Sequence, residues 1–133
     1  MKGTILVIED NENNRYLVTF ILEKSGYQVV QARDGQTGIR LAREIKPDLI
    51  LLDIQLPVMD GYAVAREMMK DGELRGIPIV AVTSYAMVGD RERVLAVGCM
   101  GYIEKPINPA TFVTEIEQYL LPGKKGNVPR SDP

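Results

Sequence analysis

Ile5-Leu6-Val7-Ile8-Glu9-Asp10 is a short apolar run that ends on two acids, and Leu49-Ile50-Leu51-Leu52-Asp53 repeats the arrangement later in the chain. Both runs are continuous rather than alternating, the pattern of central parallel strands covered on both faces by helices. A third run, Gly101-Tyr102-Ile103-Glu104, leads into Lys105-Pro106. In a parallel α/β sheet the carboxyl ends of neighbouring strands share one edge, so residues far apart in sequence converge there. Glu9, Asp10, Asp53 and Lys105 are therefore expected together, and three acids with one lysine point to a divalent cation site.

Outward from these runs the chain alternates strand and helix five times. Strands are expected at about 4–9, 27–31, 48–53, 77–82 and 101–104, each bounded by turn residues. The first helix covers about 13–25 and ends at Gly26; the second takes Asp34 as N-cap and stops before Pro47. A third spans roughly 62–71, with Val64 and Met68 on one face, and a fourth lies near 87–97. The fifth is expected to open at Asn108-Pro109, an N-cap followed by proline at the first helical position, with Phe112, Ile116 and Tyr119 or Leu120 facing the core.

The 133 residues, 45% of them hydrophobic, fit one domain with a real core. A net charge of −2 argues against a nucleic-acid surface, which would want a basic stripe. No apolar run approaches the length of a membrane span, and Met1-Lys2-Gly3-Thr4 lacks the apolar stretch of a signal peptide, so a cytoplasmic protein with no membrane insertion is expected. Residues 122–133, rich in glycine, proline and charge, read as a disordered tail or linker after a domain at 1–121.

Cys99 is the only cysteine and histidine is absent. A cysteine zinc cluster, histidine triads and histidine metal ligands are thereby excluded, leaving carboxylate, hydroxyl and lysine chemistry. Cys99 stands in apolar surroundings and reads as a buried structural thiol. Glu9, Asp10 and Asp53 held close would repel one another unless a cation neutralised them, and Mg²⁺ suits an oxygen donor set of this kind. Asp53 is then the candidate nucleophile, since an aspartate can form an acyl phosphate when positive charge stabilises the transferring group.

Taken one at a time these residues have simpler readings. Asp10 or Glu9 alone could be a helix cap or a solvated loop acid, and Thr83 alone a β-branched strand residue. Asp60 and Asp90 read as turn or cap residues, Met68 and Met69 as core and surface packing, and Arg91, Glu92 and Arg93 as a solvated helix face that could also meet a partner. Asp53 is different, because a charge ending an otherwise apolar strand is costly without a partner.

The five-fold alternation, the Glu9-Asp10 pair, Asp53 with Pro57-Val58-Met59-Asp60-Gly61 after it, Thr83, and Lys105-Pro106-Ile107 together resemble the receiver domain of two-component response regulators, over residues 3–121. The stretches from Asp53 to Pro57 and from Ala81 to Met87 are similar to its stand-alone, DivK-like members. The resemblance implies a flavodoxin-like (βα)5 three-layer sandwich with five parallel strands in the order 2-1-3-4-5. It implies Mg²⁺ held by Asp10, Asp53 and the backbone carbonyl of Gln55, with Glu9 acting largely through water. It also implies that Lys105 pairs with a phosphoryl oxygen, that Thr83 donates its hydroxyl to another, and that the Lys105–Pro106 peptide is cis.

The resemblance makes Tyr102 an aromatic switch, against the simpler reading that it fills the gap between the last strand and the fourth helix. Ser84 stands where alanine is usual, and Gln55 and Tyr85 occupy positions that tune phosphoryl lifetime. The expected function is phosphoryl transfer from a phosphohistidine of a sensor histidine kinase or histidine phosphotransfer protein onto Asp53, not turnover of a free substrate. Output would pass to a protein target through the face of the fourth helix, fifth strand and fifth helix.

Three other readings compete with this one. A phosphatase of the haloacid dehalogenase type wants a second acid where Gln55 stands. A flavodoxin-like FMN carrier needs a phosphate-cradling first loop that Glu9-Asp10-Asn11-Glu12 would repel. A phosphorylation-independent pseudo-receiver that only binds protein is opposed by the intact Asp10, Asp53, Thr83 and Lys105.

Overall fold

A computed structural model of the chain describes residues 2–84 and 89–120; Tyr85 and the expected tail lie outside the described residues. Its elements are β1 (Thr4–Ile8), α1 (Glu12–Lys24), β2 (Gln28–Ala32), α2 (Gly35–Ile45), β3 (Leu49–Asp53), α3 (Gly61–Lys70), β4 (Ile79–Thr83), α4 (Asp90–Ala96), β5 (Gly101–Glu104) and α5 (Phe112–Glu117). All four strand pairings are parallel, and the sheet order is β2-β1-β3-β4-β5.

Successive side chains of a strand leave by opposite faces, and the two faces of the sheet accordingly build two cores. Leu6, Ile8, Ile50, Leu52 and Ala81 pack with Ile39 and Ala42 of α2, Val64 and Met68 of α3 and Val94 of α4. Ile5, Val7, Leu49, Leu51, Val80 and Val82 pack with Val18 and Leu22 of α1 and Phe112, Ile116 and Leu120 at α5. The layers are thus α1 and α5, the sheet, and α2, α3 and α4. β1, β3 and β4 are buried at almost every position, which is why their sequence carries no polar alternation.

Helix starts follow local chemistry. Asn11, Asp34 and Asp60 are N-caps whose side-chain oxygens accept from the backbone N–H of Asn14, Thr37 and Ala63. The fifth helix departs from expectation: its regular part begins at Phe112, with Thr111 at the cap. Asn108 instead organises a lead-in turn, its side chain accepting from Ala110 N and its carbonyl from Thr111 N and Phe112 N. The fourth helix, expected near 87–97, runs Asp90–Ala96 within the described residues, behind Gly89 at φ 96°.

No helix among the described residues is long and apolar enough to cross a membrane.

Candidate functional site

The candidate site lies at the carboxyl edge of β1, β3 and β4, where each strand leads into one of the candidate residues. Strand registry pairs Ile8 with Leu52 and Asp53 with Val82, so Glu9, Asp53 and Thr83 leave neighbouring strand ends. All three are buried, whereas Asp10, one residue further along its loop, is exposed. Carboxylate oxygens of Glu9, Asp10 and Asp53 all lie within 4.8 Å of one another.

Lys105 reaches into this cluster from the loop after β5. Its Nζ stands 2.8 Å from Glu9 Oε1 and 3.5 Å from Asp53 Oδ2. The backbone N–H of Lys105 donates to Thr83 O at 2.8 Å, which joins the lysine to the β4 end, and the Lys105–Pro106 peptide is cis. The phosphoryl oxygen that the resemblance assigns to this ammonium belongs to a phosphorylated chain; here the ammonium rests on two of the acids.

The electrostatics follow from burial. Desolvation, reinforced by a hydrogen bond with the neighbouring Asp53 carboxyl, pushes Glu9 up to about 7 despite the pull of Lys105. Burial works against the Lys105 ammonium, but the hydrogen bond to Glu9 and the charge of Asp53 outweigh it, and its pKa is raised. A cluster with more negative charge than its one lysine can balance is therefore held at the rim of a low-dielectric core.

Its donors are carboxylate oxygens at mutual distances that one small cation could bridge, and hard oxygen donors suit Mg²⁺. Glu9, Asp10 and Asp53 fit that ion. Gln55, on the loop after β3, donates its N–H to Asp53 Oδ1 at 3.0 Å, which fixes the carboxylate's orientation. Its side-chain Oε1 accepts from Ser84 N at 3.3 Å, so the residue also spans to the β4 end, a contact the sequence did not signal.

The loop between β3 and α3 is shaped by two residues. A methyl group at Gly61 would sit 2.5 Å from Ile54 Cα and 2.6 Å from Asp53 O, so only glycine allows α3 to begin against the strand end. Val58 adopts φ 66°, an uncommon conformation for a β-branched residue, and is fully exposed.

Tyr102 stands apart from the acids on β5, paired in register with Ala81. It is half-buried against the α2, α3 and α4 core, beneath the Arg91 guanidinium at 5.5 Å from its ring centroid. Arg93 lies 3.8 Å from the ring centroid of Tyr62. Arg91, Glu92 and Arg93 are exposed, as the solvated reading of this face expects, and the two arginines also cover aromatic rings.

Among the residues sequence reasoning passed over are Arg15 and Gln31. Arg15 Nη1 donates to Glu9 O at 2.9 Å, and Nε donates to Gln31 Oε1 at 3.2 Å. An arginine among polar residues near a helix start resembles any solvated charge, and its backbone acceptors leave no trace in composition.

Comparison with known proteins agrees with this geometry. Residues 5–117 match the family model described as the response regulator receiver domain. The chain is 46% identical over 120 residues to the polar-differentiation response regulator DivK of Brucella anthropi, covering 90% of this chain and 98% of that protein. DivK of Brucella abortus is similar to the same extent. Among solved structures, chemotaxis protein CheY4 of Vibrio cholerae superposes with a TM-score of 0.86 at 27% identity, covering 90% of this chain and all of that one. The receiver domain of a sensor histidine kinase from Pseudomonas aeruginosa, solved with a magnesium ion coordinated in its active site cleft, gives a TM-score of 0.82 at 35% identity over 90% of this chain and 98% of that one.

Proposed function

Because the chain belongs to the response regulator receiver domain family of two-component signalling, we propose that it is a phosphoacceptor switch, with Asp53 accepting a phosphoryl group from a partner's phosphohistidine. The observation that carries this reading is the convergence of Glu9, Asp10 and Asp53 within 4.8 Å around one lysine at the sheet edge. These 133 residues hold no histidine, so the donor phosphohistidine lies outside them, on a sensor histidine kinase or a histidine phosphotransfer protein.

In the transfer a carboxylate oxygen of Asp53 attacks phosphorus, a P–O bond forms, and the P–N bond to the donor histidine breaks with its electron pair returning to the ring nitrogen. Asp53 is held for that attack by the N–H of Gln55 on its other oxygen. Glu9, Asp10, Asp53 and the Gln55 carbonyl would hold Mg²⁺, which supplies neutralisation of charge on the acids and on the transferring oxygens. Lys105 exchanges its present carboxylate contacts for a phosphoryl oxygen as a mobile point charge, and Thr83 gives its hydroxyl to a second.

The switch follows from the same contacts. Movement of Thr83 toward the phosphoryl group vacates space at the β4 end, and Tyr102 on the neighbouring strand turns inward from its place beneath Arg91. The face of α4, β5 and α5 would then present a changed surface to a downstream protein. Ser84 and Gln55, joined by the hydrogen bond from Ser84 N to Gln55 Oε1 beside Asp53, would set how long the acyl phosphate survives.

The test is intact mass after incubation with acetyl phosphate, with and without Mg²⁺, on wild type and Asp53→Asn. A Mg²⁺-dependent phosphoryl adduct present in wild type and absent in the variant is the expected result. No adduct under conditions that trap short-lived species would overturn the phosphoacceptor reading in favour of a phosphorylation-independent protein-binding module.

A further inference from the structure

The loop that carries Glu9 and Asp10 is short, and it is held from three directions. Glu9 N donates to Ala32 O at 3.0 Å, which extends the β1–β2 ladder by one bond. Asn11 N donates to Glu9 Oε2 at 3.2 Å. Lys105 Nζ holds the other carboxylate oxygen, Oε1, at 2.8 Å, and Arg15, one turn into α1, adds the backbone contacts: Nη1 donates to Glu9 O at 2.9 Å and, more weakly, to Asp10 O at 3.4 Å.

The guanidinium is itself held from β2. Its Nε donates to Gln31 Oε1 at 3.2 Å, and Gln31 Nε2 donates onward to Thr19 Oγ1 at 3.0 Å, one further turn along α1. Two consecutive carbonyls of the acidic loop thus converge on one planar cation, which a glutamine on the adjoining strand keeps in place.

We propose that Arg15, fixed by Gln31, is a positioning residue for the metal site, setting the peptide planes of Glu9 and Asp10 so that their carboxylates face Asp53. The proposal rests on the reading of these acids as Mg²⁺ ligands. It goes beyond that reading by placing control of their geometry in two residues that bear no metal-directed atom. Outer groups that orient ligands typically carry 10–100-fold in metal affinity.

Charge and geometry make opposite demands here, which gives the proposal a sign. As a nearby cation, Arg15 repels Mg²⁺, and its removal on that ground alone would tighten binding. As a latch, its removal loosens the loop and weakens binding. Lysine retains the charge but cannot present the fork that reaches Gln31 and two carbonyls together. Gln31→Leu breaks the same latch with no change of charge.

The experiment is titration of the full chain with Mg²⁺, followed by backbone amide chemical shifts, in wild type, Arg15→Met, Arg15→Lys and Gln31→Leu. Amide dispersion in the same spectra reports that each variant is folded. The expected result is a Kd for Mg²⁺ raised about tenfold or more in both Arg15 variants, and raised in the same direction in Gln31→Leu. An unchanged or lower Kd in folded Arg15→Met, beside a wild type that binds, would overturn the latch alone. A wild type silent to Mg²⁺ would overturn the metal reading and the latch with it.

Discussion

Gly61 and Cys99 carry no charge at neutral pH, and each is defined by what packs against it. Gly61 lets α3 start against the backbone of β3, and a methyl group there would press on Ile54 Cα and on the carbonyl of Asp53 itself. Gly61→Ala is therefore expected to destabilise the fold by about 1–3 kcal/mol, the usual cost of overpacking, and to lower the yield of phosphoryl adduct. Urea unfolding and intact mass with acetyl phosphate measure the two effects. A Gly61→Ala protein of wild-type stability would show that the loop yields freely and that Asp53 is not registered through it. Cys99 gives a pH prediction. Burial pushes its thiol up to about 12 from the ordinary value of 9, so at pH 9 the folded chain keeps it protonated while the unfolded chain ionises half of it. Alkylation by iodoacetamide at pH 9, followed by mass, is expected to be slow in buffer and fast in denaturant. Equal rates would mean that the thiol is not enclosed by the α2, α3 and α4 core.

At the scale of elements, strands were the most legible parts, because a run buried on both faces has to be apolar throughout. Caps were legible where one side chain does one job. Asp34 accepts from Thr37 N at 2.8 Å, and that bond holds its carboxyl below the usual value. Its stabilisation is present above the unfolded value near 3.8 and is lost as pH falls through the lower folded value. Asp34→Ala should cost about 1 kcal/mol or less at neutral pH, since the group is only half-buried, and the difference from wild type should shrink in acid; urea unfolding at pH 7 and pH 3 measures both. A deficit constant with pH would assign the cost to helix propensity and not to the charged cap. Asn108-Pro109 satisfies the local rules of a cap and the Asn108 carbonyl does accept from Phe112 N, yet the residues between form only a lead-in turn and the regular helix begins at Phe112. Phe112 and Ile116, both fully buried, then set where the regular helix begins. Local chemistry fixes a turn, and tertiary burial decides whether a helix continues from it.

For the whole molecule, the meeting of Glu9, Asp10, Asp53 and Lys105 was readable because parallel strands share a carboxyl edge, whatever their separation in sequence. The partner each group takes was not readable: Lys105 lies on Glu9 and Asp53, and Arg15 binds backbone atoms that no side-chain pattern reveals. The arrangement sets stability against function, since three acids around one lysine repel one another in the metal-free chain. Replacing Asp10, the exposed member, removes a charge without opening a cavity. Asp10→Asn is therefore expected to melt at or above wild type in chelator, the opposite sign from an ordinary loss of a structural residue. With Mg²⁺ at ten times its Kd, the wild type should gain about 1.4 kcal/mol by linkage, and Asp10→Asn should gain much less at that concentration. Thermal unfolding of both proteins with chelator and with Mg²⁺ reads out the crossing. If Asp10→Asn were less stable in chelator and equally responsive to Mg²⁺, Asp10 would be a structural loop residue, and the metal would have to be held by Glu9 and Asp53 without it.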